Sequence, residues 1–164
     1  MNRFQVIAAS LLAVILLTSA AQVAGELTLR ASNKTISPGR ETCVAVTAQS
    51  FRQIVSMQYS MHWDPKVLRY KGINIGKLPS INLENFGRTD VNTGTMTFFW
   101  IDPSVRGVDL PDGAVLYELC FTVTGKSGEK SYFQFNGKPT EMEISNRNGE
   151  IVPLKPVNGL VKVQ

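Results

Sequence analysis

The chain is poor in the residues that do chemistry. Its 164 residues hold one histidine, two cysteines and two tryptophans. A lone histidine, His62, cannot assemble a base and its partner by itself, and it falls on the polar side of an alternating run. No G-x-S-x-G, H-E-x-x-H or phosphate-loop pattern occurs. Two acidic pairs stand out, Glu141 with Glu143 and Asp109 with Asp112. The second flanks Leu110-Pro111 and reads as solvated turn charge. Neither pair by itself specifies glycoside hydrolysis, and no EF-hand loop is present. These gaps argue against an enzyme and against a dedicated metal or cofactor.

Clustered charge is missing too. Lys and Arg number 17 against 13 Asp and Glu, a formal net charge of +4. No basic cluster exceeds two neighbours, which argues against nucleic acid as a partner. Helical periodicity is almost absent beyond the first residues.

One long apolar run is present. Arg3 gives a short positive start, Phe4 to Leu17 is nearly all apolar, and Thr18, Ser19, Ala20 and Ala21 are small or short. This is the pattern of an export leader cleaved after Ala21, with Gly25 as a second cleavage point. The run is short for a bilayer span, which needs about 20 apolar residues. The expectation is a signal peptide over 1–21 and one domain over 26–164, secreted, periplasmic or held at the cell surface. No membrane span is expected after cleavage. Asn33-Lys34-Thr35 is a glycosylation sequon, which matters only in a host that modifies such sites.

The remainder reads as short alternating runs broken by Gly, Pro and Asn, the mark of an all-β sandwich. Nine runs are expected: 27–32, 42–49, 54–63, 67–75, 82–88, 94–101, 114–124, 131–136 and 151–163. Pro153 and Pro156 make the last an edge or broken strand. Successive strand side chains face opposite ways. In 54–63 this puts Val55, Met57, Tyr59, Met61 and Trp63 in the core and Ser56, Gln58, Ser60 and His62 outside. In 114–124 it puts Val115, Tyr117, Leu119, Phe121 and Val123 inside, with Cys120 outside. In 42–49 it puts Val44, Val46 and Ala48 inside, with Cys43 outside. Both cysteines thus leave the core, and antiparallel pairing of their strands lets them meet across the ladder as one disulfide.

Several stretches resemble a cohesin domain. Ile36-Ser37-Pro38-Gly39 precedes the second run. Met57 to Pro65 followed by Val67-Leu68 is similar to the family's strand, aromatic, Asp-Pro, Leu pattern. Gly94 to Asp102 resembles its later aromatic strand. Asp112-Gly113 with Leu116 to Val123 resembles its glycine and Phe-x-Val strand. The resemblance spans Ile36 to Val163. It implies a nine-stranded jelly-roll sandwich that binds a dockerin on another exported protein, in a polysaccharide-degrading or cell-surface assembly. The face it implies is built from the strands resembling 54–63, 82–88, 94–101 and 131–136. Carried over by position, its outward residues are Ser56, Gln58, Ser60, His62, Thr95, Thr97, Phe99 and Ile101, with Asn85 beside them. Met96, Phe98 and Trp100 then point inward. Ser56 and Gln58 stand where dockerin-binding cohesins often carry Asn and Asp. Phe99 and Ile101 are apolar on a face that should be wet, so an apolar centre with a polar rim is expected there.

The alternative is a carbohydrate-binding domain. A sugar platform needs two or more exposed coplanar aromatics. Trp63 and Trp100 phase inward, which leaves Tyr70 and Tyr132. The cysteine expectation has a direct check. Thiol labelling of the exported, denatured protein should find no reactive thiol before reduction and two afterwards; two reactive thiols without reduction would refute the bond.

Overall fold

The computed structural model describes residues 25–164, so the leader expectation lies outside the described residues. Twelve strands form two stacked sheets. In chain order they are β1 (Leu27–Ala31), β2 (Lys34–Ile36), β3 (Glu41–Gln49), β4 (Ile54–His62), β5 (Leu68–Ile75), β6 (Phe86–Gly87), β7 (Thr95–Ile101), β8 (Ala114–Val123), β9 (Lys130–Asn136), β10 (Glu143–Asn146), β11 (Leu154–Val157) and β12 (Gly159–Val163). One sheet runs β11-β1-β3-β8-β5. The other runs β2-β12-β9-β4-β7-β6, with β10 also paired to β4. No helix among the described residues is long and apolar enough to cross a membrane.

This is the sandwich expected, with three more strands than read. Polar β2 and β10 carry too little alternation to be seen as runs. The run 151–163 divides at Asn158, whose Oδ1 accepts from Phe135 N, into β11 and β12. β11 carries Pro156 and lies at a sheet edge, where its missing N–H costs no ladder bond. The run 82–88 is mostly not strand. Leu83–Asn85 is a 3-10 turn, and only Phe86–Gly87 pairs. Asn82 caps that turn by accepting from Glu84 N, while Asn85 Oδ1 accepts from Asn82 N.

The core phasing of β3, β4 and β7 is as read. Val44, Val46 and Ala48, then Met57, Tyr59 and Met61, then Met96, Phe98 and Trp100 are all fully buried. β8 departs from its expected phase at one end. Val46 pairs with Tyr117 but Thr47 pairs with Val115, so Leu116 is an extra residue in a bulge. The bulge inverts the parity before it. Leu116 is therefore core and Val115 is half-buried, the reverse of the alternation expected. Gly76 crosses the backbone here, where a Cβ would stand 2.3 Å from the Val115 carbonyl oxygen.

Cys43 and Cys120 are direct partners in the antiparallel β3–β8 ladder and are disulfide-bonded, as expected from the phase of their strands. Cross-linking residues 77 apart is worth about 4–5 kcal/mol in the chain-entropy view. The Asp64-Pro65 step ends β4, with Leu68 N and Val67 N both donating to the Asp64 carbonyl. Trp63 closes that end of the core against Phe121 and Tyr70, at centroid separations of 5.1 and 6.4 Å.

The two sheets are tied through the middle by hydroxyls. Tyr59 from β4 and Tyr117 from β8 are fully buried, and their oxygens lie 2.7 Å apart. Tyr117 donates to Met61 Sδ at 3.1 Å, so Tyr59 donates to Tyr117. Both protons are thereby satisfied inside an aromatic cluster of Phe86, Phe98 and Phe135. Burial is the main force pushing both hydroxyls above the usual tyrosine range. Below about pH 10 both folded and unfolded chains keep these protons, and stability is level. Above it the unfolded chain loses them while the folded chain holds them. Stability should then fall by about 1.4 kcal/mol per pH unit for each tyrosine. Denaturant melts from pH 8 to 11.5 test this, and Tyr59→Phe with Tyr117→Phe should flatten the alkaline slope. Alone, Tyr117→Phe should cost more than Tyr59→Phe, because it orphans a buried donor at about 1–3 kcal/mol.

Candidate functional site

The outer face of the seven-stranded sheet is organised by β4. Its register sets the rows of side chains across the surface. Gln58 pairs with Phe99 on β7 and with Glu143 on β10. Ser56 pairs with Ile101 and with Ser145. Ser60 pairs with Thr97 and Asn136, and His62 with Thr95 and Gln134. Thr97 faces Gly87 on β6.

These rows divide into a closed half and an open half. β9 and β10 lie along the same edge of β4 as two halves of an interrupted strand. Asn136 pairs with Ser60 and Glu143 with Gln58, so seven residues of chain cover a step of two on β4. The surplus forms a flap over the face. Thr140 N donates to Ser60 Oγ at 2.9 Å, and Ser60 Oγ donates to the Thr140 carbonyl at 3.2 Å. Ser60 is fully buried as a result, which corrects its expected place on the exposed face. Alternation gives the side on which a residue lies, and a flap from elsewhere in the chain decides whether solvent reaches it.

His62 belongs to the same clasp. Its Nε2 lies 2.8 Å from the Lys138 carbonyl, which can only accept, so the proton sits on Nε2. Nδ1 then accepts from Thr95 Oγ1 at 3.2 Å. Both ring nitrogens are engaged in hydrogen bonds within the clasp. His62 and Thr95 thus hold the flap at the edge of the face.

The other half is open. Phe99 and Ile101 are 54% and 50% exposed on a strand whose alternate residues are fully buried. Leu83, at 45%, stands beside them on the 3-10 turn. That turn is fastened to β7 by Asn85 Nδ2, which donates to the Phe99 carbonyl at 2.9 Å. Gln58, Asn85, Glu143 and Ser56 surround the apolar group, and Ser56 Oγ is bonded to Ser145 Oγ at 2.7 Å. Thr97 is half-buried between the two halves. Of the expected face, Ser56, Gln58, Asn85, Thr97, Phe99 and Ile101 come together around this centre, while Ser60 and His62 are taken up by the flap.

Leu83 and Glu143 were not anticipated. The Asn82-Leu83-Glu84-Asn85 sequence carries the signal for Leu83, since asparagine at a cap precedes a turn better than a strand. Nothing in the pattern of Glu143 marks its register with Gln58.

The acidic pairs have other work. Asp109 Oδ1 accepts from Gln53 N and Asp112 Oδ1 from Ser50 N, fixing a turn in which Ser50 and Gln53 both have positive φ. Glu141 is exposed ahead of β10, and Glu143 lies on the rim already described. Among the described residues, no group of three His, Cys, Asp or Glu is placed to hold a metal ion.

Aromatic side chains do not form a sugar platform. Tyr70 is half-buried against Trp63 and Phe121. Tyr132 is exposed on the same sheet face as Phe99. Register puts it beyond the His62 row, about 20 Å from Phe99 by strand rise and spacing. Among the described residues no second exposed ring stands beside either.

The cohesin-domain family profile matches residues 26–163. The chain belongs to the cohesin family. As a cohesin it is a non-enzymatic protein-binding module. A Clostridium thermocellum cohesin, solved as the type I Coh-OlpA–Doc918 complex, superposes with a TM-score of 0.73 at 16% identity. That match covers 85% of this chain and 100% of the other. The sixth cohesin of Acetivibrio cellulolyticus scaffoldin B, solved with a mutant Cel5 dockerin, gives 0.73 at 17% identity with the same coverage. A non-cellulosomal cohesin of the archaeon Archaeoglobus fulgidus gives 0.68 at 20% identity, covering 85% of this cohesin and 92% of its own chain. No curated protein matches the sequence.

Proposed function

We propose that this cohesin is exported by its 1–21 leader and docks a dockerin-type protein, or a similar exported partner, on the open half of the seven-stranded sheet. The setting is secreted, periplasmic or cell-surface, in assemblies of the polysaccharide-degrading kind. One observation carries the reading: Leu83, Phe99 and Ile101 form an exposed apolar centre on the sheet face, with Gln58, Asn85, Glu143 and Ser56 as its polar surroundings. Side chains of this kind sit at the middle of protein interfaces, where the partner excludes water and the polar rim fixes register. Cohesins of the same fold have been solved in complex with dockerins.

The rim also shapes the partner. Gln58 and Ser56 are neutral and short-reaching, so a partner helix meets amide and hydroxyl groups beside the apolar centre instead of paired charges. Affinity then rests mainly on the apolar contact, with modest salt dependence. A polysaccharide ligand would need ring faces set side by side, and the exposed aromatics stand too far apart for that.

The test is calorimetric titration with calcium-loaded dockerin domains encoded in the same genome. Phe99→Ala should leave the melting temperature within a few degrees of the parent and weaken binding by about 1 kcal/mol or more, roughly fivefold. Unchanged affinity would remove Phe99 from the interface. Retention of the parent on an insoluble glycan, with no dockerin bound, would replace the protein partner with a carbohydrate.

A further inference from the structure

A second excursion interrupts the opposite edge of β4. Ile101 pairs with Ser56, yet the chain returns to the ladder only at Val108, which bridges Ile54. Seven residues again cover a step of two on β4, and the surplus forms the loop 103–107. The loop follows directly from Ile101, at the margin of the apolar centre.

This loop is held in one shape. Asp102 is 5% exposed, and its carboxylate accepts from Ser104 N at 3.0 Å, from Ser104 Oγ at 2.9 and 2.8 Å, and from Gly107 N at 3.0 Å. Those bonds, the Ser104 amide first among them, hold its carboxyl below the usual range. Val105 N donates to the Asp102 carbonyl at 3.0 Å, closing a turn. Gly107, at φ +84°, packs against Gln53, where a Cβ would stand 2.7 Å from the Gln53 carbonyl oxygen.

At the end of this braced turn stands a residue whose conformation does not suit it. Val105 has φ +55°, a conformation that a β-branched side chain rarely adopts. It is also 62% exposed, so no core contact explains its apolar character. A turn brings its first and fourth Cα atoms within about 7 Å, which puts Val105 within roughly 11 Å of Ile101. Strain, exposure and bracing coincide at one apolar side chain next to the proposed interface. Strain held in place by surrounding structure points to function and not to packing.

We infer that Val105 is a specificity-determining contact that extends the Phe99–Ile101 surface toward the dockerin-type partner, with Asp102 as the residue that positions it. The inference rests on the partner reading above. It adds that the partner carries an apolar side chain reaching past the end of β7.

The signature is a trade between stability and binding. Asparagine tolerates the left-handed region far better than valine. Val105→Asn should therefore raise or preserve the melting temperature while weakening dockerin binding about threefold to tenfold. Val105→Ile keeps the branch and the apolar surface, and should bind within about twofold of the parent. Asp102→Asn should weaken binding in the parent and add nothing further in the Val105→Asn background, because its effect runs through Val105. Ser50→Gly relieves a positive φ at the end of β3 and should leave affinity unchanged. The measurement is titration of the parent, these four variants, the double variant and Phe99→Ala with a calcium-loaded dockerin from the same genome, beside their thermal melts. If the parent binds, Phe99→Ala binds more weakly, and Val105→Asn binds like the parent, the inference is overturned while the partner reading stands. If the parent binds no dockerin, or Phe99→Ala binds normally, both fall together.

Discussion

The two-residue alternation of β4 constrains the whole molecule. Its odd-numbered side chains, Met57, Tyr59 and Met61, are the middle of the core, and Trp63 closes one end. From Ser56 to His62 its even-numbered ones then go outward, onto the face where Phe99 and Ile101 lie, while Ile54, beyond the register shift against β10, is buried. A slip of one residue would expose the core set and bury the rim, so core packing and site geometry are fixed by the same pairing. The hydroxyl chain from Tyr59 through Tyr117 to Met61 locks that register to the other sheet.

Both edges of β4 shed surplus chain, and the two excursions do opposite things. The 137–142 segment folds over Ser60 and is clasped by Thr140, His62 and Thr95, closing half of the face. The loop after Ile101 is tied to its own carboxylate, Asp102, and leaves Val105 exposed. The open surface is what remains between them. Its rigidity comes from the sheet below, so a partner meets side chains that are already placed. The Cys43–Cys120 bond lies on the outside of the other sheet and steadies the scaffold without entering this surface.

The fold was legible because strands buried on one side write their phase into the sequence. Val44, Val46 and Ala48 could be assigned to the core from spacing, Met96, Phe98 and Trp100 from the cohesin resemblance, and the phase of Cys43 and Cys120 allowed the disulfide. What could not be read has a physical cause in each case. Leu116 shifts the phase of β8 through a bulge, which leaves no mark in an alternating apolar run. Ser60 looks identical to Ser56 in the pattern, and only a flap contributed 80 residues later buries it. Leu83 was hidden by reading a capped turn as a strand. Val105 has no periodic neighbour at all; its position shows only once φ and the Asp102 bonds are known. Phase therefore predicts cores and faces well, and chain excursions predict themselves poorly.

The central claim is that partner contact falls on the outer face of the seven-stranded sheet around Phe99. Hydroxyl-radical footprinting of this cohesin, free and saturated with a calcium-loaded dockerin from the same genome, tests it side chain by side chain. The account predicts protection at Leu83, Phe99 and Ile101, with Tyr70 and Ile75 on the other sheet labelled as in the free protein. Protection of Tyr70 and Ile75 with Phe99 labelled unchanged would contradict it.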